Sequence, residues 1–132
     1  MKDVNDDQHC FVCGKENMAG LHIEFQQDPQ SREVKAEVVF PKHLQGWQDT
    51  VHGGLQATIL DEIMIKAAAA AGIQCVTAEI TVKYKKPAST GTAYIAFGKM
   101  LETRGRIVLA ESRLCDDSGQ VLAQATGKLF RV

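Results

Sequence analysis

In the stretch "TVHGGLQATILDEIM" a His-Gly-Gly, His52 to Gly54, precedes a long apolar run that carries two adjacent acids, Asp61 and Glu62. Glycines at the start of a helix present backbone N–H groups that have no intrahelical acceptor, at the positive end of the helix dipole. Such an end binds or polarises a negative oxygen, and glycine lets a carbonyl approach the backbone closely. A carboxylate within an apolar helix is costly unless it is hydrogen-bonded or protonated, so Asp61 needs a partner or a function. Glu62 lies about 100° further around the helix and reads as an interface or solvent residue.

These groups need a helix to hold them. Across residues 52–71 Leu55, Ile59, Leu60, Ile63, Met64, Ala67, Ala68 and Ala71 recur at spacings of three and four, and Gly72 supplies a stop. The small side chains of "IKAAAAAG" predict close packing on a sheet and burial on more than one side. Ahead of the helix, residues 21–28 ("LHIEFQQD") and 33–40 ("EVKAEVVF") alternate apolar and polar across a "PQSR" turn, which predicts a hairpin. Pro41 ends it, and "KHLQGWQD" is a loop. After the helix, residues 76–87 alternate, with Val76, Ala78, Ile80, Val82 and Tyr84 on one face. Further strands are predicted over 92–103, 106–116 and 120–132, with turns at "RGR" and "DDSG". Two strands, one helix and four strands predict an α+β fold, about six antiparallel strands wrapped around one long central helix.

A chain of 132 residues is read as one domain, 1–132, with room for one sizeable core. With 45% hydrophobic and 23% charged residues it is expected to fold. A net charge of -1, with Lys and Arg not massed at one end, argues against a nucleic-acid partner. The N-terminus "MKDVNDDQHC" lacks the apolar core of a signal peptide, and residues 67–78 are too short and Ala-rich to span a bilayer. A soluble, cytoplasmic protein without a membrane partner is expected, its four cysteines being thiols.

The order of elements and "HGGLQATILDE" resemble the hotdog-fold thioesterase superfamily, in particular the phenylacetic-acid-degradation type of acyl-CoA thioesterase. The leading "CFVCGKENMAGL" (Cys10, Cys13, Gly14, Asn17, Gly20, Leu21) is similar to an N-terminal segment common in that group. "VKYKKPASTG", residues 82–91, resembles the strand and turn that follow the helix, so the resemblance covers essentially the whole chain. It implies a hotdog fold, an acyl-CoA substrate, no cofactor, and active sites between the subunits of a homodimer or of a homotetramer built from two dimers.

Geometry independently requires two chains. Gly53 and Asp61 are eight residues apart, about 12 Å at a rise of ~1.5 Å per residue. An oxyanion donor and a base must each lie within about 3 Å of one reacting group. Antiparallel pairing of two such helices about a twofold axis brings Gly53 of one chain to Asp61 of the other. Gly53 N–H is thus the candidate oxyanion donor, with Gly54 beside it, and Asp61 the base or nucleophile. His52 shapes the site or simply starts the helix. Thr77 lies on the strand face of Thr81, and the resemblance implies a Ser or Thr near this place that orients the nucleophile. Many relatives carry an Asn where this chain has Gly46; Gln48 is the candidate substitute.

Lys83, Lys85, Lys86, Arg104 and Arg106 are candidates for coenzyme A phosphates, and equally describe solvated strand and turn faces. Trp47 and Phe40 are read as liners of an acyl pocket or as core anchors. Cys10 and Cys13 form a C-x-x-C beside His9 but lack a second pair at zinc-site spacing, so they are read as a structural turn, with no metal expected. Cys75 and Cys115 are read as core thiols. The leading function is acyl-CoA thioester hydrolysis. The alternatives are an acyl-CoA binding module without turnover and a hydratase or dehydratase of the same fold.

Overall fold

The computed structural model describes residues 4–132. Six strands form one antiparallel sheet: β1 (Gln26–Gln27), β2 (Val34–Val39), β3 (Cys75–Tyr84), β4 (Ala93–Arg104), β5 (Ile107–Cys115) and β6 (Val121–Arg131). Their order is β1-β2-β4-β5-β6-β3. One long helix, α1 (Gly53–Ala70), packs against β2, β3, β4, β5 and β6. The α+β architecture is the one the sequence predicts. Among the described residues no helix is long and apolar enough to cross a membrane.

The expected first strand is the main departure. Only Gln26 and Gln27 pair with β2, opposite Lys35 and Val34. Leu21 and Ile23 instead donate their amides to the carbonyls of Phe11 and Val12 at 2.8 and 2.9 Å, and His22 between them takes a left-handed φ of 53°. Apolar alternation reports a half-buried extended segment without specifying the backbone it pairs with. Here residues 21–23 are tied to the N-terminal segment, whose Val12 is fully buried.

In β2 the alternation is regular: Val34, Ala36 and Val38 face the core, and Lys35, Glu37 and Val39 face out. In β3 it is not. This strand has a neighbour on one side only, β6, and its ladder breaks between Thr77 and Glu79. Val76, Ile80 and Val82 are half-buried and Ala78 and Tyr84 exposed, because an edge strand covers one flank of the helix rather than the centre of the core.

The helix begins and ends where its sequence signals lie. His52 caps the N-terminus, and at the other end Gly72, with φ 80°, lets the chain reverse so that Ile73 N–H reaches Ala68 O at 3.0 Å. Ile59, Leu60, Ile63, Met64, Ala67 and Ala68 are buried, while Ala57, Thr58, Asp61, Glu62 and Ile65 remain half-buried and Ala69 and Ala70 exposed. Burial within one chain is therefore one-sided, narrower than the sequence predicts.

The buried face rests on the sheet at backbone distance. A Cβ added at Gly98 of β4 would lie 2.6 Å from the Ile63 carbonyl oxygen, and one at Gly127 of β6 2.8 Å from Met64 Cε. Between them the buried Ser112 hydroxyl of β5 donates to Leu60 O at 2.8 Å. Gly98→Ala forces backbone against backbone, where nothing flexible can yield, and should lower stability by about 1–3 kcal/mol. Urea denaturation of both proteins checks this, and an unchanged midpoint would mean that the helix can move off the sheet freely.

Candidate active site

The start of α1 is fixed by its own side chains. His52 Nδ1 accepts the Gly54 N–H at 2.9 Å, which satisfies one of the amides a helix start leaves open and sets the neutral ring as the Nε2–H tautomer. Gly54 is therefore occupied, and a Cβ there would press on His52 Nδ1 at 3.1 Å. Among the described residues the Gly53 N–H has no acceptor, while Gly53 O accepts the Tyr84 hydroxyl at 2.6 Å. A Cβ on Gly53 would meet Tyr84 at an ordinary 3.5 Å, so packing within the chain does not demand glycine there.

The preceding loop forms the wall of this helix start. His52 N–H donates to Leu44 O at 3.0 Å, Val51 N–H to Ala88 O at 2.8 Å, and Gly46 N–H to Thr50 O at 2.8 Å. Gly46, Trp47, Thr50, Val51, His52 and Gly53 line an open cleft of about 420 Å³, with Trp47 86% exposed at its rim. Gln48, the replacement donor the sequence reading expects, is exposed on the same loop and is not among the residues lining this cleft. The loop turns at Asp49, which has a left-handed φ of 58°. Phe40 is fully buried in the core, the second of the two places the sequence reading allows it.

Two turns further along α1, the Thr77 hydroxyl donates to Asp61 Oδ1 at 2.6 Å. The ladder irregularity just after Thr77 lies where β3 must aim that side chain at the helix. Asp61 is half-buried rather than enclosed, on the flank of α1 packed towards the edge strand β3, and among the described residues only this one oxygen is hydrogen-bonded. Gly53 and Asp61 stay at opposite ends of the same helical stretch.

The cations divide between the two ends of the sheet. Lys83 lies next to Tyr84, at the Gly53 end, and Lys85 just beyond β3; both are exposed. Lys86 Nζ donates to Gln120 Oε1 at 3.0 Å. Arg104 and Arg106 flank the β4–β5 turn at the other end, in the rows next to Thr77, and Arg104 pairs with Glu102 at 2.8 Å.

Glu62, read from the sequence as an interface or solvent residue, is half-buried against two cysteines of its own chain. Its Oε1 accepts from Cys13 Sγ at 3.3 Å and Cys10 Sγ at 3.7 Å, with Lys66 Nζ at 4.0 Å. Burial, helped by the Glu62 charge and opposed by Lys66, pushes the Cys13 thiol up to about 11. Burial likewise raises the thiols of Cys75 and Cys115, both buried in the core. Tyr84 and Gln56 were not singled out by the sequence. Gln56 is buried on α1 with an Oε1 that lacks a partner among the described residues.

Residues 48–123 match the thioesterase superfamily, more than half of the chain, and the chain belongs to that superfamily. It is similar to the crystal structure of protein RHA08564, a thioesterase superfamily protein, at 26% identity and TM-score 0.87 over 95% of this chain and 61% of that one. This chain thus spans less than two thirds of that protein's length. It is also similar to smu.793 from Streptococcus mutans UA159 bound to acetyl CoA, at 17% identity and TM-score 0.76 over 83% of this chain and 88% of that one. The PaaI protein of the E. coli phenylacetic acid degradation operon gives 15% identity and TM-score 0.75 over 85% and 80% of the two chains. Together with the strand order these likenesses establish the hotdog fold. No curated protein matches the chain.

The His52 cap carries a prediction independent of function. His52→Ala removes the acceptor for Gly54 N–H and should cost about 0.5–2 kcal/mol, whereas His52→Asn, whose side chain also caps, should recover most of it. Equal denaturation midpoints for wild type and the alanine variant would show that the imidazole does not hold the helix start.

Proposed function

We propose that the chain hydrolyses acyl-CoA thioesters at sites shared between two subunits. One observation carries this reading: α1 presents an unpaired Gly53 N–H at its positive end and a Thr77-held carboxylate, Asp61, on its exposed flank. The Gly53 amide binds the thioester oxygen as negative charge develops on it. Asp61 of the partner subunit, held by its Thr77 through one oxygen, uses the other as general base towards water or as nucleophile towards the carbonyl. Addition of water and loss of the C–S bond release the acid, and the proton passes to the coenzyme A sulfur.

Antiparallel pairing along the free edge of β3 accommodates this arrangement, since among the described residues this ten-residue strand pairs on one side only, with β6. A dimer, or a tetramer of two dimers, is the resulting assembly. Twofold pairing also gathers the divided cations: Lys83 and Lys85 of one chain come to the end that carries Arg104 and Arg106 of the other, where coenzyme A phosphates need them. Trp47, at the rim of the cleft, borders the acyl group. His52 keeps the Gly53 amide in place through its cap. The acetyl CoA bound to smu.793 supports a coenzyme A thioester as substrate class. Free thiols and that substrate suit a reducing, cytoplasmic compartment.

A second reading, an acyl-CoA binding module without turnover, is favoured by Gly46, which has no side chain to serve as a second donor beside the Gly53 amide. Coenzyme A release from a panel of aryl, short-chain and long-chain acyl-CoA thioesters separates the two. Turnover should fall by about 10²- to 10⁴-fold in Asp61→Asn, as for loss of a general base. Tight binding with no turnover, unaffected by the substitution, would establish the binding module instead.

A further inference from the structure

We propose that Cys10, Cys13 and Glu62 form a zinc site that fastens the N-terminal segment to α1. The three ligand atoms, Cys10 Sγ, Cys13 Sγ and a Glu62 carboxylate oxygen, all lie within 4.8 Å of one another. In a tetrahedral zinc site with Zn–S of about 2.3 Å and Zn–O of about 2.0 Å, the sulfur-to-oxygen edge is roughly 3.5 Å. The two edges here are 3.3 and 3.7 Å, on the same carboxylate oxygen. A tetrahedral ion sits out of the plane of this triangle, towards a fourth ligand, at bonding distance from all three atoms.

The turn that carries the two thiols is preformed. Val12 N–H donates to Cys10 Sγ at 3.4 Å and Gly14 N–H to Cys10 O at 2.8 Å. A Cβ at Gly14 would lie 2.5 Å from Cys10 N and Gln8 O, so only glycine permits a loop this tight. Val12, fully buried, and the amides of Leu21 and Ile23 anchor the same segment to the body of the protein. An N–H donated to a cysteine sulfur stabilises thiolate over thiol, as zinc ligation requires. The loop therefore aims both sulfurs at one carboxylate before any ion is present.

Charge selects the ion. Two thiolates and a carboxylate carry three negative charges, which a divalent ion and the Lys66 ammonium, 4.0 Å from Glu62 Oε1, neutralise together. Two sulfur ligands favour zinc over magnesium or calcium, which take oxygen. A pocket of about 310 Å³, lined by Cys10, Cys13, Glu62, Lys66 and also by Asp6 and Cys75, leaves the fourth position to solvent.

The test uses the full chain, stripped by chelator, kept reduced with a phosphine and titrated with Co²⁺ and then Zn²⁺. One Co²⁺ per chain should produce a thiolate-to-cobalt charge-transfer band and the intense visible bands of tetrahedral cobalt, both removed by Zn²⁺. Cys13→Ser should abolish the charge transfer of one ligand. Glu62→Gln, close to isosteric, should weaken affinity by more than the roughly 10- to 100-fold that loss of a mere outer-shell partner costs. Cys75→Ser should leave the titration unchanged. Circular dichroism establishes that each variant is folded; should Cys13→Ser unfold, Glu62→Gln decides. Absence of a thiolate band, or a titration the same in Glu62→Gln as in wild type, overturns the site.

Discussion

The contact on which the rest of the molecule depends is the seating of α1 directly against sheet backbone. Bare glycines at Gly98 and Gly127 admit the helix on β4 and β6, and the Ser112 hydroxyl holds the Leu60 carbonyl from β5 between them. A helix this close cannot rotate or slide without driving Ile63 or Met64 into the strands, because packed interiors yield little. Its azimuth is thereby set, and with it the direction in which each polar side chain of the helix leaves the core.

From that azimuth follows the division of labour along α1. Its buried face is apolar apart from Gln56, and its flank towards the free edge of β3 carries Asp61. The loop ahead of the helix is anchored to Ala88 and Leu44 by backbone bonds, so the Gly53 amide is as firmly placed as the helix itself. Donor and carboxylate are thus rigid relative to each other and separated by a fixed length of helix. Flexibility in one chain does not bring them together, which is why the proposed site takes its donor and its carboxylate from two chains.

Much of this was legible because local signals agree with the tertiary demand. The apolar spacing of residues 55–68, the His-Gly-Gly start and Gly72 define α1 to within a residue or so, and the turns of the β4–β6 meander are marked by glycine. Less was legible where the outcome depends on a distant partner. Residues 21–25 alternate like a strand, yet the amides of Leu21 and Ile23 are taken by Phe11 and Val12, a pairing that no period of two encodes. The regular alternation of β3 fades because an edge strand shields one flank of a helix rather than a core layer. Gln48, the candidate substitute for an Asn that many relatives carry at position 46, lies on the exposed loop, outside the cleft lining that Gly46 and Trp47 form.

The two adjacent acids show the same rule at the scale of a single peptide. Asp61 and Glu62 differ by one methylene and one helical step, and composition gives no reason for different roles. A step of about 100° nevertheless sends them to different neighbours. Asp61 meets the Thr77 hydroxyl, which donates one short bond to a single carboxylate oxygen. Glu62 meets two thiols and an ammonium, which occupy it and draw the N-terminal segment down onto the helix. The segment it holds is continuous with the pairing that displaced the first strand, through Phe11 and Val12. Whatever fastens Glu62 to the cysteines therefore also steadies the helical residue next to it, so the carboxylate that faces the sheet edge is supported from both flanks: by Thr77 on β3 and, through the backbone of α1, by the turn at Cys10 and Cys13.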